Sequence, residues 1–117
     1  MIEIKNISKK FGKLEVLKNV SVSCNSGQCI ALIGPNGCGK TTLIKSILGM
    51  VIPDSGSMEF NEKSIFGDYL YREKIGYMPQ IGRYPDTMTI GEIIEMVKKI
   101  RNSKDNLDED LFRDFEI

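Results

Sequence analysis

The sequence predicts an α/β fold organised around a phosphate-binding loop, and three observations support this. Residues 34–42, with the letters GPNGCGKTT, fit the pattern G-x-x-x-x-G-K-[ST]. The apolar run at residues 28–33 is typical of a buried strand. Apolar residues after the loop recur at helical spacing, namely Leu43, Ile44, Ile47 and Leu48. A strand, a glycine loop and a helix start, in this order, direct backbone N–H groups and the positive end of the helix dipole at an anion.

The elements before the loop read as strands joined by turns. Residues 2–7 alternate isoleucine with polar residues, which indicates an edge-type strand. A turn at residues 11–13 leads to a second, β-branched strand at residues 16–24. Another turn, residues 25–27, leads to residues 28–33, whose continuous apolar character predicts burial on both faces.

After the loop, a helix is predicted from about Gly39 to near Gly49, followed by a turn at residues 53–56. Residues 57–60 and 74–78 are predicted to be short strands, with a helical turn at residues 69–74 between them.

Thr89 and Glu92 form a capping-box pattern at the start of a further helix. The apolar residues of its predicted face are Ile93, Ile94, Val97 and Ile100. Residues 102–106 read as a polar linker, and the acids at 108–110 predict the start of a last helix. The apolar residues of that helix are Leu111, Phe112 and Phe115.

Composition narrows the class of protein. With 117 residues, the chain is one domain or part of one, and 41% hydrophobic residues allow a core. Sixteen basic and sixteen acidic residues cancel, so charge gives no reason to expect nucleic acid or an anionic membrane as the main partner. The sequence lacks a membrane-spanning run and a signal-peptide pattern. We therefore predict a cytoplasmic protein, in which any membrane role would come through a partner.

The three cysteines form no metal-binding pattern. Cys24 and Cys29 fall in predicted strands and are interpreted as small buried thiols. Cys38 lies inside the glycine loop at a predicted helix N-terminus, where a thiolate is stabilised. Two interpretations remain open for Cys38: a small residue that simply fits the loop, or a reactive thiol that bound nucleotide protects.

The residue types of the loop suit the binding of a nucleotide triphosphate and magnesium. Gly37 and Gly39 permit backbone conformations and close approach that a Cβ would block. Lys40 can place its charge between the β- and γ-phosphates, and Thr41 can offer its hydroxyl to Mg²⁺. Thr42 lies near enough to donate to the α-phosphate.

Further motifs give the chain a family resemblance. Phe11 and Val16 precede the loop at a spacing of five residues, and the segment IGYMPQ at residues 75–80 follows it. Together with residues 34–42, and in this order, they make the whole chain resemble the nucleotide-binding domain of ATP-binding cassette (ABC) transporters. The resemblance implies a P-loop NTPase core with an N-terminal antiparallel β subdomain and the start of a helical subdomain.

The resemblance also implies roles for individual residues. Phe11 matches the aromatic residue that stacks on adenine, and Val16 the apolar residue beside it. Lys40 and Gln80 match catalytic positions, while Thr41 and Gln80 match positions that contact Mg²⁺. The implied ligands are ATP and Mg²⁺. The implied nucleotide-binding residues are Phe11, Val16, Gly34, Pro35, Asn36, Gly37, Cys38, Gly39, Lys40, Thr41 and Thr42.

The sequence departs from the family pattern in three respects. It contains no Gly-Gly dipeptide for the signature motif, no usable apolar run followed by Asp-Glu for the Walker B motif, and no histidine. We therefore expect an N-terminal portion of one ATPase domain, truncated before the signature and Walker B motifs. Residues 1–80 would hold the β subdomain, the Walker A loop (residues 34–42) and the Q-loop (the segment that contains Gln80), and residues 81–117 the start of the helical subdomain. Such a chain is expected to hydrolyse ATP only at background rate. Because the strands that would pair with residues 28–33 are missing, it is also expected to form a dimer or a domain swap, or to have a partly disordered core.

The implied partners are a transmembrane permease subunit and a second nucleotide-binding domain. Two other interpretations remain open within the family: a non-transport ATPase, and the ATPase that accompanies copper delivery to nitrous oxide reductase. A small-molecule kinase with the same loop is the alternative from another class. It would need an arginine-bearing lid, whereas Arg72, Arg83, Arg101 and Arg113 are scattered. The transported substrate and its direction of transport are not encoded in a recognisable motif.

Overall fold

A computed structural model describes residues 1–101, which fall into two compact units. Met1–Ile75 forms the first unit, and the second begins at Gly76. The strands and helices are β1 (Ile2–Phe11), β2 (Leu14–Cys24), α1 (Lys40–Ile47), β3 (Ser55–Phe60), β4 (Lys63–Ser64), a 3₁₀ helix (Leu70–Lys74) and α2 (Ile90–Arg101).

The first unit is built on an antiparallel four-stranded sheet in the order β2-β1-β3-β4. In β1, Ile4 lies opposite Val22 of β2 on one side and Met58 of β3 on the other. Apolar residues therefore meet across three strands. The two-residue turn Gly12–Lys13 joins β1 to β2, and Gly12 has a φ of 60°. The predicted antiparallel β subdomain is confirmed.

Two asparagines interrupt the β1–β2 ladder. Asn6 and Asn19 have φ values of 53° and 49°, in the left-handed region that asparagine tolerates. The register of β1 against β2 shifts between Ile4 and Ile7. The Asn6 N–H donates to the Ser21 hydroxyl at 2.9 Å, and the Asn19 N–H donates to the Ser8 hydroxyl at 2.9 Å. Serine side chains thus satisfy the amides that the irregular ladder leaves unpaired.

The core of the first unit lies where the sheet meets α1 and the 3₁₀ helix. Its buried apolar residues are Ile4, Ile7, Leu17, Leu43, Met58, Ile65 and Tyr71. Tyr71 also donates its hydroxyl to the Ile47 carbonyl at 2.9 Å, and its ring lies 5.9 Å from that of Phe60. The 3₁₀ helix is therefore fastened to both the sheet and the end of α1.

Helix α1 ends where the sequence predicts. Gly49 takes a φ of 68°, and its N–H donates to the Ser46 carbonyl at 3.0 Å. The Met50 N–H donates to the Lys45 carbonyl at 2.8 Å, which completes a Schellman motif. A glycine is needed here because the left-handed conformation carries a Cβ penalty for other residues.

The prediction of a buried strand at residues 28–33 is wrong for the part of the chain described here. These residues form neither helix nor strand and are exposed, Ile33 to 89% of its surface. Residues 1–101 supply no strand that pairs with them, and their apolar side chains are left partly or largely exposed. Cys29 is consequently exposed, and Cys24 is half-buried at the end of β2, so neither is the buried thiol that we predicted.

Other element boundaries also differ from the predictions. β1 is an inner strand of the sheet and reaches Phe11, whereas an edge strand ending at Ile7 was predicted. β2 begins at Leu14, and β3 begins at Ser55, inside the predicted turn. Residues 75–78 form no strand, so that prediction is wrong. The helical turn at residues 69–74 is confirmed as the 3₁₀ helix.

In the second unit, α2 begins with the predicted capping box. The Thr89 N–H donates to the Glu92 carboxylate at 2.8 Å, and the Glu92 N–H donates to the Thr89 hydroxyl at 3.3 Å. The residues predicted for its apolar face range from half-buried Ile93 and Ile94 to exposed Val97 and Ile100. The predicted linker and last helix lie outside the described residues. Within residues 1–101, no helix is both long and apolar enough to cross a membrane.

Candidate functional site

The N-terminus of α1 is open to a ligand. The loop at residues 34–39 runs into α1 with Gly37 and Gly39 at φ values of 81° and 94°. Among residues 1–101, no side chain caps this helix start, and its first turn holds no acidic residue. The first N–H groups of a helix have no acceptor within the helix. Within the described part of the chain, these groups of α1 are therefore left to solvent or to a bound anion, and the first turn adds no carboxylate that would repel an anion.

Gly39 fixes this helix start against β2. Gly39 is buried, and a Cβ added to it would lie 2.5 Å from the Val16 carbonyl oxygen and 3.0 Å from a Leu17 methyl group. Only glycine permits both this close approach and the left-handed φ. The same contact places Val16 beside Gly39 at the end of the glycine loop.

Lys40 closes the loop on itself. Its ammonium donates to the Gly34 carbonyl at 2.5 Å and to the Pro35 carbonyl at 2.7 Å, and it lies 3.6 Å from the Cys38 sulfur. These contacts hold the positive charge of Lys40 against the first residues of the glycine loop. A lysine is a mobile point charge on a flexible stem, so it can exchange these carbonyls for phosphate oxygens.

The remaining loop residues set its shape. A Cβ on Gly34 would lie 2.7 Å from the Cys38 sulfur, so the thiol packs directly over that glycine. The Cys38 N–H donates to the Pro35 carbonyl at 3.4 Å, which closes a turn whose outer residue, Asn36, is exposed. The side chain of Cys38 is therefore both part of the loop wall and accessible from outside.

Thr41 and Thr42 differ in their surroundings. Thr41 is exposed in the first turn of α1. Thr42 is half-buried, and its carbonyl accepts a hydrogen bond from the buried Ser46 hydroxyl at 2.9 Å. The exposed hydroxyl of Thr41 is thus available to a ligand, as a magnesium contact requires.

Phe11 stands at the turn end of the β1–β2 hairpin, where it lies opposite Leu14. Half of its surface is exposed, and the Lys9 ammonium lies 5.4 Å from the centre of its ring. The hairpin therefore carries Phe11 at its tip and Val16 beside the glycine loop. Gln80 belongs to the second unit, where it is exposed and lies outside helices and strands.

Sequence reasoning missed a charged pair beside Phe11. The Lys9 ammonium donates to the Asp54 carboxylate at 2.8 Å, and the Lys10 N–H donates to the same carboxylate at 2.7 Å. These hydrogen bonds, that from Lys9 first, lower the pKa of Asp54 below its usual value. Because 45 residues separate Lys9 from Asp54, no local pattern could have revealed the pair.

No cluster of three or more histidine, cysteine, aspartate or glutamate side chains that could hold a metal ion occurs among residues 1–101. A magnesium ion at this loop would take ligands from a nucleotide's phosphates, from water and from neutral side-chain oxygens such as the Thr41 hydroxyl. Magnesium sites in phosphate-binding proteins commonly have this character. The residues present fit such an ion when it arrives with its nucleotide.

Comparison with known proteins gives one consistent family. The ABC transporter family profile matches residues 17–117. A sulfate/thiosulfate import ATP-binding protein of Pectobacterium atrosepticum is 36% identical, over 92% of this chain and 34% of that protein. A Nod factor export ATP-binding protein of Ralstonia nicotianae is 32% identical, over 82% of this chain and 30% of that protein.

A solved structure described as a putative ABC transporter ATP-binding protein from Pyrococcus furiosus has a TM-score of 0.77 at 28% identity. The match covers 90% of this chain and 50% of that one. The chain spans about a third of the length of the two curated relatives described above.

Proposed function

This chain belongs to the ABC transporter family, and we propose that it is the N-terminal part of an ATP-binding subunit that binds MgATP at residues 34–42. The observation that carries this proposal is the uncapped start of α1, whose first residue, Lys40, holds its ammonium on the carbonyls of the glycine loop. Anions bind at such a place because free N–H groups, the helix dipole and a cation act together. The family match favours this function over the small-molecule kinase.

The phosphate end of the nucleotide would be held by the loop backbone and Lys40. The N–H groups of residues 39–41 would donate to the β- and γ-phosphates, and Thr42 would donate to the α-phosphate. The Lys40 ammonium would move from the loop carbonyls to the β- and γ-phosphate oxygens. Thr41 would complete the magnesium shell, and the bound ion would neutralise charge on the transferred phosphoryl group. Gln80 is proposed as the residue that approaches the ion and the attacking water.

The base end would lie on the β1–β2 hairpin. Phe11 offers a half-exposed ring for stacking on adenine, and Val16 offers apolar surface next to the glycine loop. An aromatic stack of this type contributes about 1–3 kcal/mol per base. The contact between Val16 and Gly39 supports this assignment because it joins the base side of the site to its phosphate side.

We propose that the whole protein couples ATP hydrolysis to a membrane permease and pairs with a second nucleotide-binding domain at the inner face of the membrane. The names of the relatives, one an import protein and the other an export protein, support a transport role. Those relatives handle unlike substrates yet are 36% and 32% identical to this chain. The shared stretch is therefore proposed to carry the nucleotide chemistry, and the substrate is left to partners.

The test is calorimetric titration of the 117-residue chain with ATP and Mg²⁺. Lys40→Ala should weaken binding at least about tenfold, because a charge-assisted hydrogen bond to phosphate is lost. Lys45→Ala is the matched control, since Lys45 is an exposed lysine in the last turn of the same helix. Equal ATP affinity in Lys40→Ala and Lys45→Ala would refute the proposed site.

We also propose that these 117 residues bind ATP without turning it over, because their sequence lacks an Asp-Glu pair after an apolar run. Phosphoryl transfer depends on charged groups positioned around the phosphate. The Asp-Glu pair would supply some of these charges. A phosphate-release assay should give the background rate. Magnesium-dependent turnover that disappears in Lys40→Ala would contradict this proposal without weakening the binding site.

A further inference from the structure

The ring of Phe11 has two different faces. Lys9 and Phe11 are two residues apart on β1, so their side chains project to the same side of the strand. The Lys9 ammonium lies 5.4 Å from the ring centre, a distance typical of a cation–π contact. The ring remains half-exposed, so a cation covers one part of it and the remainder is open to a partner.

The position of that cation is set by Asp54. Its carboxylate accepts from the Lys9 ammonium at 2.8 Å and from the Lys10 N–H at 2.7 Å. The Asp54 N–H in turn donates to the Ser8 carbonyl at 2.9 Å, so Asp54 is fixed to β1 by three hydrogen bonds. The Lys9 side chain is only 17% exposed, which is low for a lysine on a strand next to a hairpin tip. Its ammonium therefore has a defined place beside the ring.

We infer that Lys9 and Asp54 are positioning residues for base recognition, which hold the Phe11 ring in the orientation and electronic state that stack on adenine. This inference rests on the proposed function. The faces of an aromatic ring carry negative charge, and so do those of a purine. A cation on one face draws electron density toward itself and reduces repulsion between the other face and a stacked base. The pair also restrains the hairpin tip, which lowers the entropy lost on binding.

A purely structural role predicts a different pattern of effects. If the Lys9–Asp54 ion pair only attached the loop that precedes β3 to strand β1, its loss would lower stability. The relative affinity for ligands with and without a base would then stay the same. Asp54 is half-exposed, so such a pair contributes little to stability, and its loss should leave the chain folded. The effect on ligand choice can therefore be measured in folded variants.

The experiment compares ATP with inorganic tripolyphosphate, which has the phosphate chain but no base, by displacement of a labelled nucleotide in the presence of Mg²⁺. Lys9→Gln should weaken ATP binding about three- to tenfold, because the Phe11 ring loses the cation that orients it and reduces its repulsion with adenine. It should leave tripolyphosphate binding unchanged. Asp54→Asn should also weaken ATP binding and leave tripolyphosphate binding unchanged. Lys9→Arg should restore ATP affinity, because a guanidinium can both pair with Asp54 and stack on the ring.

Lys10→Gln is the matched control. It removes the same charge from the adjacent residue, whose ammonium pairs with Glu15 at 3.9 Å, while the Lys10 N–H to Asp54 stays. The ratio of ATP to tripolyphosphate affinity should not change in this variant. A change in this ratio as large as that in Lys9→Gln would show that net charge acts rather than position.

A double-mutant cycle with Phe11→Leu tests whether Lys9 acts through the ring. In the Phe11→Leu background, Lys9→Gln should cause no further loss of ATP affinity. The inference is overturned if Lys9→Gln leaves ATP binding intact or weakens the binding of ATP and tripolyphosphate equally. It is also overturned if Lys9→Gln has its full effect in the Phe11→Leu background. If the unaltered chain binds no ATP, the proposed function fails instead, so the two failures are distinguishable.

Discussion

The two α-helices of the described chain begin in opposite ways. α1 starts from Gly39 in a left-handed conformation, with no side-chain cap and no acid in its first turn. α2 starts from Thr89 and Glu92, whose side chains and backbone exchange three hydrogen bonds. One helix start is completed by its own sequence and the other is not. The N-terminus of α2 is therefore stabilised within the fold, whereas the N-terminus of α1 is available to a ligand.

The largest expected effect comes from adding a methyl group at each helix start. Gly39→Ala would place a Cβ 2.5 Å from the Val16 carbonyl oxygen at a φ of 94°, so we expect a loss of more than about 3 kcal/mol in the free energy of unfolding. Gly91→Ala in α2 meets nothing within 4 Å and should stabilise the chain by about 0.5–1 kcal/mol. Chemical denaturation followed by circular dichroism measures both.

Gly37→Ala provides an intermediate variant that stays folded. Gly37 shares the left-handed conformation, with a φ of 81°, but its added Cβ would meet no atom within 4 Å. Its cost should be about 1 kcal/mol, from backbone strain alone. If Gly39→Ala and Gly37→Ala unfolded at the same denaturant concentration, the packing of Gly39 on β2 would not be what fixes the start of α1.

The start and end of α1 and the capping box of α2 were predictable because each is specified by neighbouring residues. Gly49 ends α1 through a local left-handed turn, and Thr89 and Glu92 are three residues apart. The glycine loop was predictable for the same reason. These features depend on backbone preference and on short-range hydrogen bonds, which sequence patterns record directly.

Residues 28–33 and the Lys9–Asp54 pair could not be predicted from local patterns. An apolar run becomes a strand only when other strands pair with it, and no strand within residues 1–101 does so. Lys9 and Asp54 meet because β3 folds back beside β1, and that register depends on the whole sheet. Both cases concern contacts between distant parts of the chain.

Two threonine variants, one at each helix start, should affect different properties: stability for α2 and ATP affinity for α1. Thr89→Ala removes the cap of α2 and should cost about 1 kcal/mol in stability without changing ATP affinity. Thr41→Ala removes an exposed hydroxyl from α1 and should leave stability unchanged. It should weaken ATP binding in the presence of Mg²⁺ by about 1.5 kcal/mol, or roughly tenfold. Calorimetry and denaturation on both variants give the comparison.

The opposite pattern would refute the distinction between the two termini. A Thr41→Ala variant that loses stability but keeps its affinity would make Thr41 a structural residue. Repeating the ATP titration without Mg²⁺ is the control, because the effect of Thr41→Ala should then largely disappear.

Cys38 reports on access to the start of α1. Its thiol is exposed and lies 3.6 Å from the Lys40 ammonium, so nucleotide in the loop should slow its alkylation by iodoacetamide. Cys29 is exposed but lies before the loop, so it is an internal control whose labelling rate should not change. Peptide mass spectrometry resolves the two sites. Equal labelling of Cys38 with and without saturating ATP would indicate that its thiol only fills space in the loop.

The smallest expected effect is a pH dependence confined to the start of α2. The Thr89 N–H and hydroxyl both donate to the Glu92 carboxylate, the N–H with the larger effect, and they lower the pKa of Glu92 below its ordinary value of 4.5. A carboxyl whose pKa is lower in the folded state stabilises that state above pH 4.5, and the contribution is lost as pH falls through the folded pKa.

The Thr89 amide resonance, followed by NMR, should therefore titrate with an apparent pKa below 4.5. Glu92→Gln should abolish this titration, because its side chain does not ionise in that range. Glu95→Gln, on the exposed side of the same helix, should leave it intact. The start of α1 should show no comparable local titration, since its first turn holds no acid. A Thr89 titration that persists in Glu92→Gln would mean that another group closes the start of α2, and the contrast between the two termini would lose its physical basis.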